Sequence, residues 1–252
     1  QPPDGYELSS PNVQYATMEP DQDVTLTFIN DESPDLIILK VDKQTGAPLA
    51  GAMFTVEKLE EPEKGFVTGS PFTTDAEGKI VLSNMAPGSY RIVETKAPQN
   101  YVIDTAERII NLVEGEDFTA KFEDTKKPTL TVHKVDSITK DPLKNAQFEV
   151  YRAVNGSLDG ETVMVGSFTS DASGIFKLEN AEPGWYRIVE KQAPSGYERK
   201  TESIDVFLKA GEDKEITFEN VPMSAIIIKK VDAETGEALE GIKFEVRYLS
   251  GA

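Results

Sequence analysis

The chain has no cysteine, one histidine and one tryptophan among 252 residues. Without thiols there is no disulfide framework, no thiolate nucleophile and no cysteine-based zinc site. The single histidine, His133, has no second ligand in its strand pattern, and no serine or cysteine triad can be assembled around it. Cations are also scarce: 26 basic residues stand against 44 acidic ones, a net charge of −18 spread along the whole chain. Such a balance repels nucleic acid and anionic membrane and keeps an exposed, extended molecule soluble. No apolar run approaches the length of a membrane span, and no signal peptide is present. Residue 1 falls inside a repeat, so these absences say nothing of the parent protein. The residues require no cofactor and no metal. A small strand-rich repeat lacking both disulfides and metal has a small core, which needs some other staple.

What the chain does have is a repeat of about 95 residues. LIILKVD (36–42), LTVHKVD (130–136) and IIIKKVD (226–232) open three copies. FED (122–124) and FEN (218–220) close two of them, and FIN (28–30) closes an earlier one. Each closing residue precedes the next opening lysine by the same interval: Asn30 to Lys40, Asp124 to Lys134, Asn220 to Lys230. The chain divides into 1–33, the end of one unit; 34–127 and 128–223, two complete units; and 224–252, the start of another. Within 34–127, alternating runs near 36–42, 52–58, 66–73, 79–83, 89–95, 107–113 and 117–124 are separated by Gly, Pro and Asp turn signals. That spacing predicts an all-β protein of tandem immunoglobulin-like or prealbumin-like sandwiches. Linkers at 125–128 and 221–222 are so short that the units should be closely coupled, as a rod.

Strand alternation sorts the side chains by face. Leu130, Val132 and Lys134 share one face, Thr131 and His133 the other. Phe118, Ala120, Phe122 and Asp124 point inward, as do Ile216, Phe218 and Asn220. In YRIVE (90–94 and 186–190), Glu94 and Glu190 align with a Tyr and an Ile. A Lys, a Glu and an Asp or Asn are therefore expected inside each complete unit. Burial disfavours the charged form, making an amine out of a lysine and keeping the proton on a glutamic acid. A neutral amine is a nucleophile, and a nearby Glu can polarise a carbonyl and carry protons to the leaving group. The product is a Lys–Asn or Lys–Asp isopeptide bond, formed once with loss of ammonia or water. The plainer alternatives are a buried Lys–Asp ion pair with a Glu nearby, which the uncharged Asn220 does not fit, and a strand register that leaves these residues exposed.

YRIVEKQAPSGY (186–197) resembles the E-box of the collagen-adhesin B-type (Cna B-type, SpaA-like, prealbumin-like) domains of Gram-positive surface proteins and pilins. YRIVETKAPQNY (90–101) repeats it with Asn100 in place of a glycine, and PDGY (3–6) is the tail of another copy. The resemblance implies that Lys40 bonds to Asp124 assisted by Glu94, and Lys134 to Asn220 assisted by Glu190. Asn30 and Lys230 would be half-sites without a Glu of their own, not bonded within this chain. No sortase signal of the Leu-Pro-x-Thr-Gly type and no Tyr-Pro-Lys pilin motif occurs, which favours a stalk of tandem domains over a polymerised pilin backbone.

The expected function is therefore structural: a stalk segment on the bacterial cell surface, anchored to the wall through another part of the protein. Its partners are the neighbouring repeats, with any host ligand or glycan held by other domains. The rival reading is that these domains themselves bind a host protein or glycan. A turnover enzyme ranks below both, because its only reactive constellation is consumed by its own product. Asp75, Glu77 and Asp171 have turn spacing rather than that of a calcium loop, and Trp185 is expected to be partly exposed.

Overall fold

The computed structural model describes residues 3–6 and 13–247. Alternating sequences become strands throughout, and there is no helix among the described residues. In the first unit these are Leu36–Asp42 (β1), Met53–Lys58 (β2), Gly65–Phe66 (β3), Phe72–Thr73 (β4), Lys79–Leu82 (β5), Gly88–Lys96 (β6), Tyr101–Val102 (β7), Arg108–Leu112 (β8) and Phe118–Lys126 (β9). The second contains Leu130–Asp136 (β10), Gln147–Ala153 (β11), Thr162–Thr169 (β12), Ile175–Leu178 (β13), Gly184–Gln192 (β14), Ile204–Leu208 (β15) and Lys214–Asn220 (β16).

Each unit is a sandwich of two sheets. In the first, β5-β1-β9-β7 faces β3-β2-β6-β8, with β4 also on β2. In the second, β13-β10-β16 faces β12-β11-β14-β15. The first and last strands of each unit run parallel and in equivalent register: Lys40 opposite Phe122 and Asp42 opposite Asp124, Lys134 opposite Phe218 and Asp136 opposite Asn220. Both strands of each pair thus send their inward residues into one core. That core holds Leu36, Ile38, Phe54, Ile92 and Phe122 in the first unit, and Leu130, Val132, Phe148, Ile188 and Phe218 in the second.

Three details depart from the sequence pattern. The run at 66–73 is two short strands, because Gly69 is left-handed (φ 93°) and Pro71 offers no N–H to the ladder. Phe118 does not stay inside: it is 37% exposed, since β7 covers β9 only at Thr125 and Lys126 and leaves its start as a sheet edge. Finally, neither 226–230 nor 28–30 is in a strand. Strand β1 lies between β5 and β9, whereas 226–230 has no such neighbours among the described residues, and Ile226 and Ile227 are 78% and 81% exposed. The turn that follows survives alone: Asp232 N donates to Glu237 O and Leu239 N to Lys230 O.

The lysine strands are pinned on both sides. Lys134 N donates to Gly174 O (2.7 Å) and Lys134 O accepts from Leu143 N (2.8 Å), with matching bonds from Lys40 N to Gly78 O and from Leu49 N to Lys40 O. Gly174 is left-handed (φ 71°), and a Cβ there would lie 2.4 Å from Lys134 O and 3.0 Å from Leu143 N. Gly174→Ala should therefore destabilise the second sandwich by about 2 kcal/mol or more, through both strain and displacement of the lysine strand. Calorimetry that finds its transition unmoved relative to the first sandwich would contradict this account.

Candidate functional site

The site forms where the parallel strand pair of one sheet meets the central strand of the other. In the first unit, β1 supplies Lys40, β9 supplies Asp124 two residues beyond Phe122, and β6 reaches across with Glu94. All three side chains are sealed from solvent. Lys40 Nζ donates to Asp124 Oδ1 at 2.5 Å and to Glu94 Oε2 at 2.7 Å, and lies 5.7 Å from the Phe54 ring centroid. Phe54 packs on Phe122 at 4.8 Å and pairs with Glu94 across the sheet, next to a register shift between Met53 and Phe54. Such an irregularity re-aims a side chain, here at the sequence position that must reach across the core.

The second unit repeats the placement but not the contacts. Lys134, Glu190 and Asn220 are again buried, beside Phe148 and Phe218. Lys134 Nζ donates to Phe218 O at 3.1 Å and lies 3.9 Å from Glu190 Oε1. Asn220 Nδ2 donates to Glu190 Oε2 and to Glu198 O, both at 2.8 Å. The carboxylate of Glu190 thus has one oxygen toward the amine and the other on the amide nitrogen.

Protonation follows from these surroundings. Burial pushes the Glu94 carboxyl up to about 7; the hydrogen bond from Lys40 opposes this, and the charge of Asp124 adds to it. Burial lowers the Lys134 amine to about 8, against the charge of Glu190 and with that of Lys200. Four buried side-chain atoms lack a hydrogen-bond partner among the described residues: Glu94 Oε1, Asp124 Oδ2, Glu190 Oε1 and Asn220 Oδ1. All belong to these two sites. Orphaned buried acceptors cost free energy and call for an explanation in function.

A family model described as SpaA, prealbumin-like fold domain, matches residues 34–126 and again 128–222. The chain belongs to this family. Among solved structures, the Bacillus anthracis TIE protein is 28% identical over 77% of this chain, which spans only 35% of the length of that protein, with a TM-score of 0.38. A streptococcal ancillary pilin is 23% identical, with 82% of this chain and 69% of that one covered and a TM-score of 0.41. The shaft pilin spaA from Lactobacillus rhamnosus GG is 19% identical, covering 77% and 99%, with a TM-score of 0.47. No curated protein sequence matches the chain.

Within both SpaA domains the fold adds a residue pair that strand alternation had not singled out. Tyr101 donates its hydroxyl to Asp42 Oδ2 at 2.9 Å, and Tyr197 to Asp136 Oδ2 at 2.9 Å. The other oxygen of each Asp accepts two backbone N–H groups of the following turn. This latch holds the segment after the E-box against the end of the lysine strand. Its signal in the sequence was the recurrence of Asp in KVD and of Tyr at the end of each E-box, without any means of pairing them. Asn100, replacing the E-box glycine, is left-handed (φ 69°) like Gly196 (φ 85°), a conformation asparagine tolerates.

The remaining candidates are placed apart from the two sites. Lys230 is exposed and Asn30 half-buried, and neither is brought to a glutamate. His133 faces outward, 3.2 Å from Glu215 Oε2. Asp75 and Asp171 accept backbone N–H groups within their own turns. Trp185 is 40% exposed and packs edge-on against Phe207 at 5.4 Å. Among the described residues no group of side chains could hold a metal ion.

Removing the Tyr101 hydroxyl leaves Asp42 Oδ2 without that donor. Tyr101→Phe is expected to lower the melting temperature of the first domain by roughly 4–8 °C. The transition of the second domain serves as internal reference, and equal behaviour of the two would refute the latch.

Proposed function

We propose that the chain is a shaft segment of a bacterial surface protein, in which each complete SpaA domain is locked by a bond between its first and last strands. The units are 34–127 and 128–223, flanked by 1–33 from a preceding repeat and 224–252 from a following one. Lys40 joins Asp124 with Glu94 as proton carrier, releasing water. Lys134 joins Asn220 with Glu190 in the same role, releasing ammonia. The observation that carries this reading is the repeated burial of an amine, a carboxyl and an acceptor in two cores whose unpaired polar atoms all lie in those triads. A stable ion pair would leave those atoms unsatisfied indefinitely; an amide removes the charges.

The chemistry balances at each site. Nζ of the lysine bonds to the acceptor carbonyl carbon, the bond from that carbon to the leaving oxygen or nitrogen breaks, and the proton given up by Nζ ends on the leaving group; at Asp124 the leaving oxygen takes a second proton, from the Glu94 carboxyl, and departs as water. The reaction occurs once per site, so the domain is not a turnover enzyme. Location on the cell surface and attachment to the wall through another part of the protein belong to this same proposal.

Chain recovered unfolded and refolded by dilution should lose one water and one ammonia in intact mass, with branched tryptic peptides joining each pair. Glu190→Ala should abolish the ammonia loss and leave the water loss intact. The two losses should also differ in pH dependence. Water loss slows as pH rises through about 7, where Glu94 gives up the proton its leaving oxygen needs. Ammonia loss speeds up as pH rises toward 8, where Lys134 becomes the free amine. A refolded chain of unshifted mass would refute bond formation and leave the buried groups unreacted.

The mechanical consequence follows from the register. Lys40 and Asp124 lie 84 positions apart in sequence but near the same end of two parallel strands. A pull entering through β1 and leaving through β9 would pass across the bond and bypass everything between. Single-molecule extension should show no unfolding step for either domain, with Lys40→Ala restoring one step and Lys134→Ala the other. Extension of the wild-type chain to its full contour length would remove the basis for a shaft.

A further inference from the structure

The triads of the two domains leave a further element of the second site unassigned. Beyond Tyr197 the chain runs over the mouth of the core at Glu198, Arg199 and Lys200. Its main chain makes two contacts with the buried groups. Glu198 O accepts from Asn220 Nδ2 at 2.8 Å, and Lys200 N donates to Glu190 Oε2 at 2.8 Å. Arg199 adds a guanidinium hydrogen bond to Glu190 O at 3.3 Å. The segment itself is anchored by Glu198 N on Val221 O and by the Tyr197–Asp136 latch.

We propose that Glu198–Lys200 is a main-chain clamp that positions both the leaving nitrogen and the proton carrier for Lys–Asn bond formation, with the Lys200 N–H as its decisive donor. This deepens the bond-forming role proposed above and rests on it. The chemistry requires a proton to travel from Lys134 Nζ to Asn220 Nδ2 as the Nζ–Cγ bond forms and the Cγ–Nδ2 bond breaks. Glu190 is the only carboxylate placed between them among the described residues, with Oε1 toward the amine and Oε2 on the amide nitrogen. A carboxyl free to rotate would exchange those roles. The Lys200 N–H fixes Oε2 and so fixes the direction of transfer, while Glu198 O holds Nδ2 turned toward it. Preorganised donors of this kind act with little reorganisation during the reaction. A cleft of about 320 Å³ lined by Ser137, Glu198, Lys200, Glu202 and Asn220 gives the released ammonia a way out.

The first domain supplies an internal contrast. The residue at the same distance past its tyrosine is Asp104, and its N–H points at the acceptor, Asp124 Oδ1, at 3.3 Å rather than at the glutamate. There the leaving atom is an oxygen, and Lys40 Nζ itself holds both carboxyls, at 2.5 and 2.7 Å. The clamp on the carrier is therefore specific to the domain whose acceptor is an amide.

The test compares Lys200→Pro, which lacks the N–H, with Lys200→Gln, which keeps it while losing the same charge. The full chain is refolded from denaturant and intact mass is followed with time. Ammonia loss should be roughly ten- to hundredfold slower in the proline variant and stay within about threefold of wild type in the glutamine variant. Water loss at the first domain should be unchanged in both. Equal ammonia-loss rates in the two variants would overturn the clamp. Should the proline variant fail to fold its second domain, amide hydrogen exchange on the full chain carrying Lys134→Met decides instead. A protected Lys200 N–H supports the clamp, and one exchanging as freely as an exposed loop overturns it. A wild-type chain losing neither water nor ammonia would overturn the bond-forming role itself, while the exchange measurement would still report on the contact.

Discussion

A lysine side chain sealed inside a β-sandwich sets the terms for everything around it. An ammonium group there has lost its water, and the loss is tolerable only if every proton finds an acceptor or one is given up. In the first domain the solution is charge pairing, with two carboxyl oxygens at 2.5 and 2.7 Å. In the second it is a weakened base, held by a backbone carbonyl and faced by Glu190 at 3.9 Å. Both solutions depend on the parallel pairing of the first and last strands, which puts lysine and acceptor on one face two residues out of step. They depend equally on the opposite sheet delivering a glutamate past a phenylalanine. Strip away the lysine and the sandwich has no reason to carry a carboxyl group in its centre.

The two domains therefore share a scaffold and differ in electrostatics. An aspartate acceptor brings a second negative charge, which adds to the effect of burial in raising the Glu94 carboxyl to about 7. An asparagine acceptor brings none, so Glu190 accepts two N–H groups and the amine remains at a distance. The side-chain contacts of the two sites thus differ while the backbone register of the first and last strands is the same in both.

Much of this was legible from alternation alone. In β1, β9, β10 and β16 the parity of Lys40, Asp124, Lys134 and Asn220 follows from their apolar neighbours, and all four are buried. Period two reports which face a residue takes, but not whether that face is covered. Phe118 keeps the inward parity and is still partly exposed, because nothing pairs with its edge. The same limit explains 226–230, which has the composition of β1 but lacks strands on either side. Contacts between loop and strand, such as Tyr197 with Asp136 or Lys200 with Glu190, carry no periodicity. They arise from the path of the chain after the E-box, which only the assembled fold defines.

The junction between domains inherits its character from the same spacing. With both bonds formed, tension passes from Asp124 to Lys134 through the main chain, and only this stretch lacks a covalent bypass. Ten residues extend to at most about 35 Å, so the shaft would have little slack per repeat. Even that slack is restrained: Gly211 N donates to Lys126 O at 2.7 Å, Gln44 Nε2 donates to Gly211 O at 2.7 Å, and Lys127 pairs with Glu182 at 2.5 Å. The equivalent bond, Gly115 N to Glu32 O at 2.9 Å, recurs at the preceding junction. Gly211 admits this approach because it is left-handed (φ 78°) and bare; a Cβ would lie 2.9 Å from both Gln44 Nε2 and Thr125 Cγ2. Hydrogen bonds at the junction yield under load and re-form, whereas the amides would not yield. Compliance would then be confined to the junctions and the domains would remain folded, a division of labour that would follow from placing the buried lysine near the start of each unit and its Asp or Asn partner at the end.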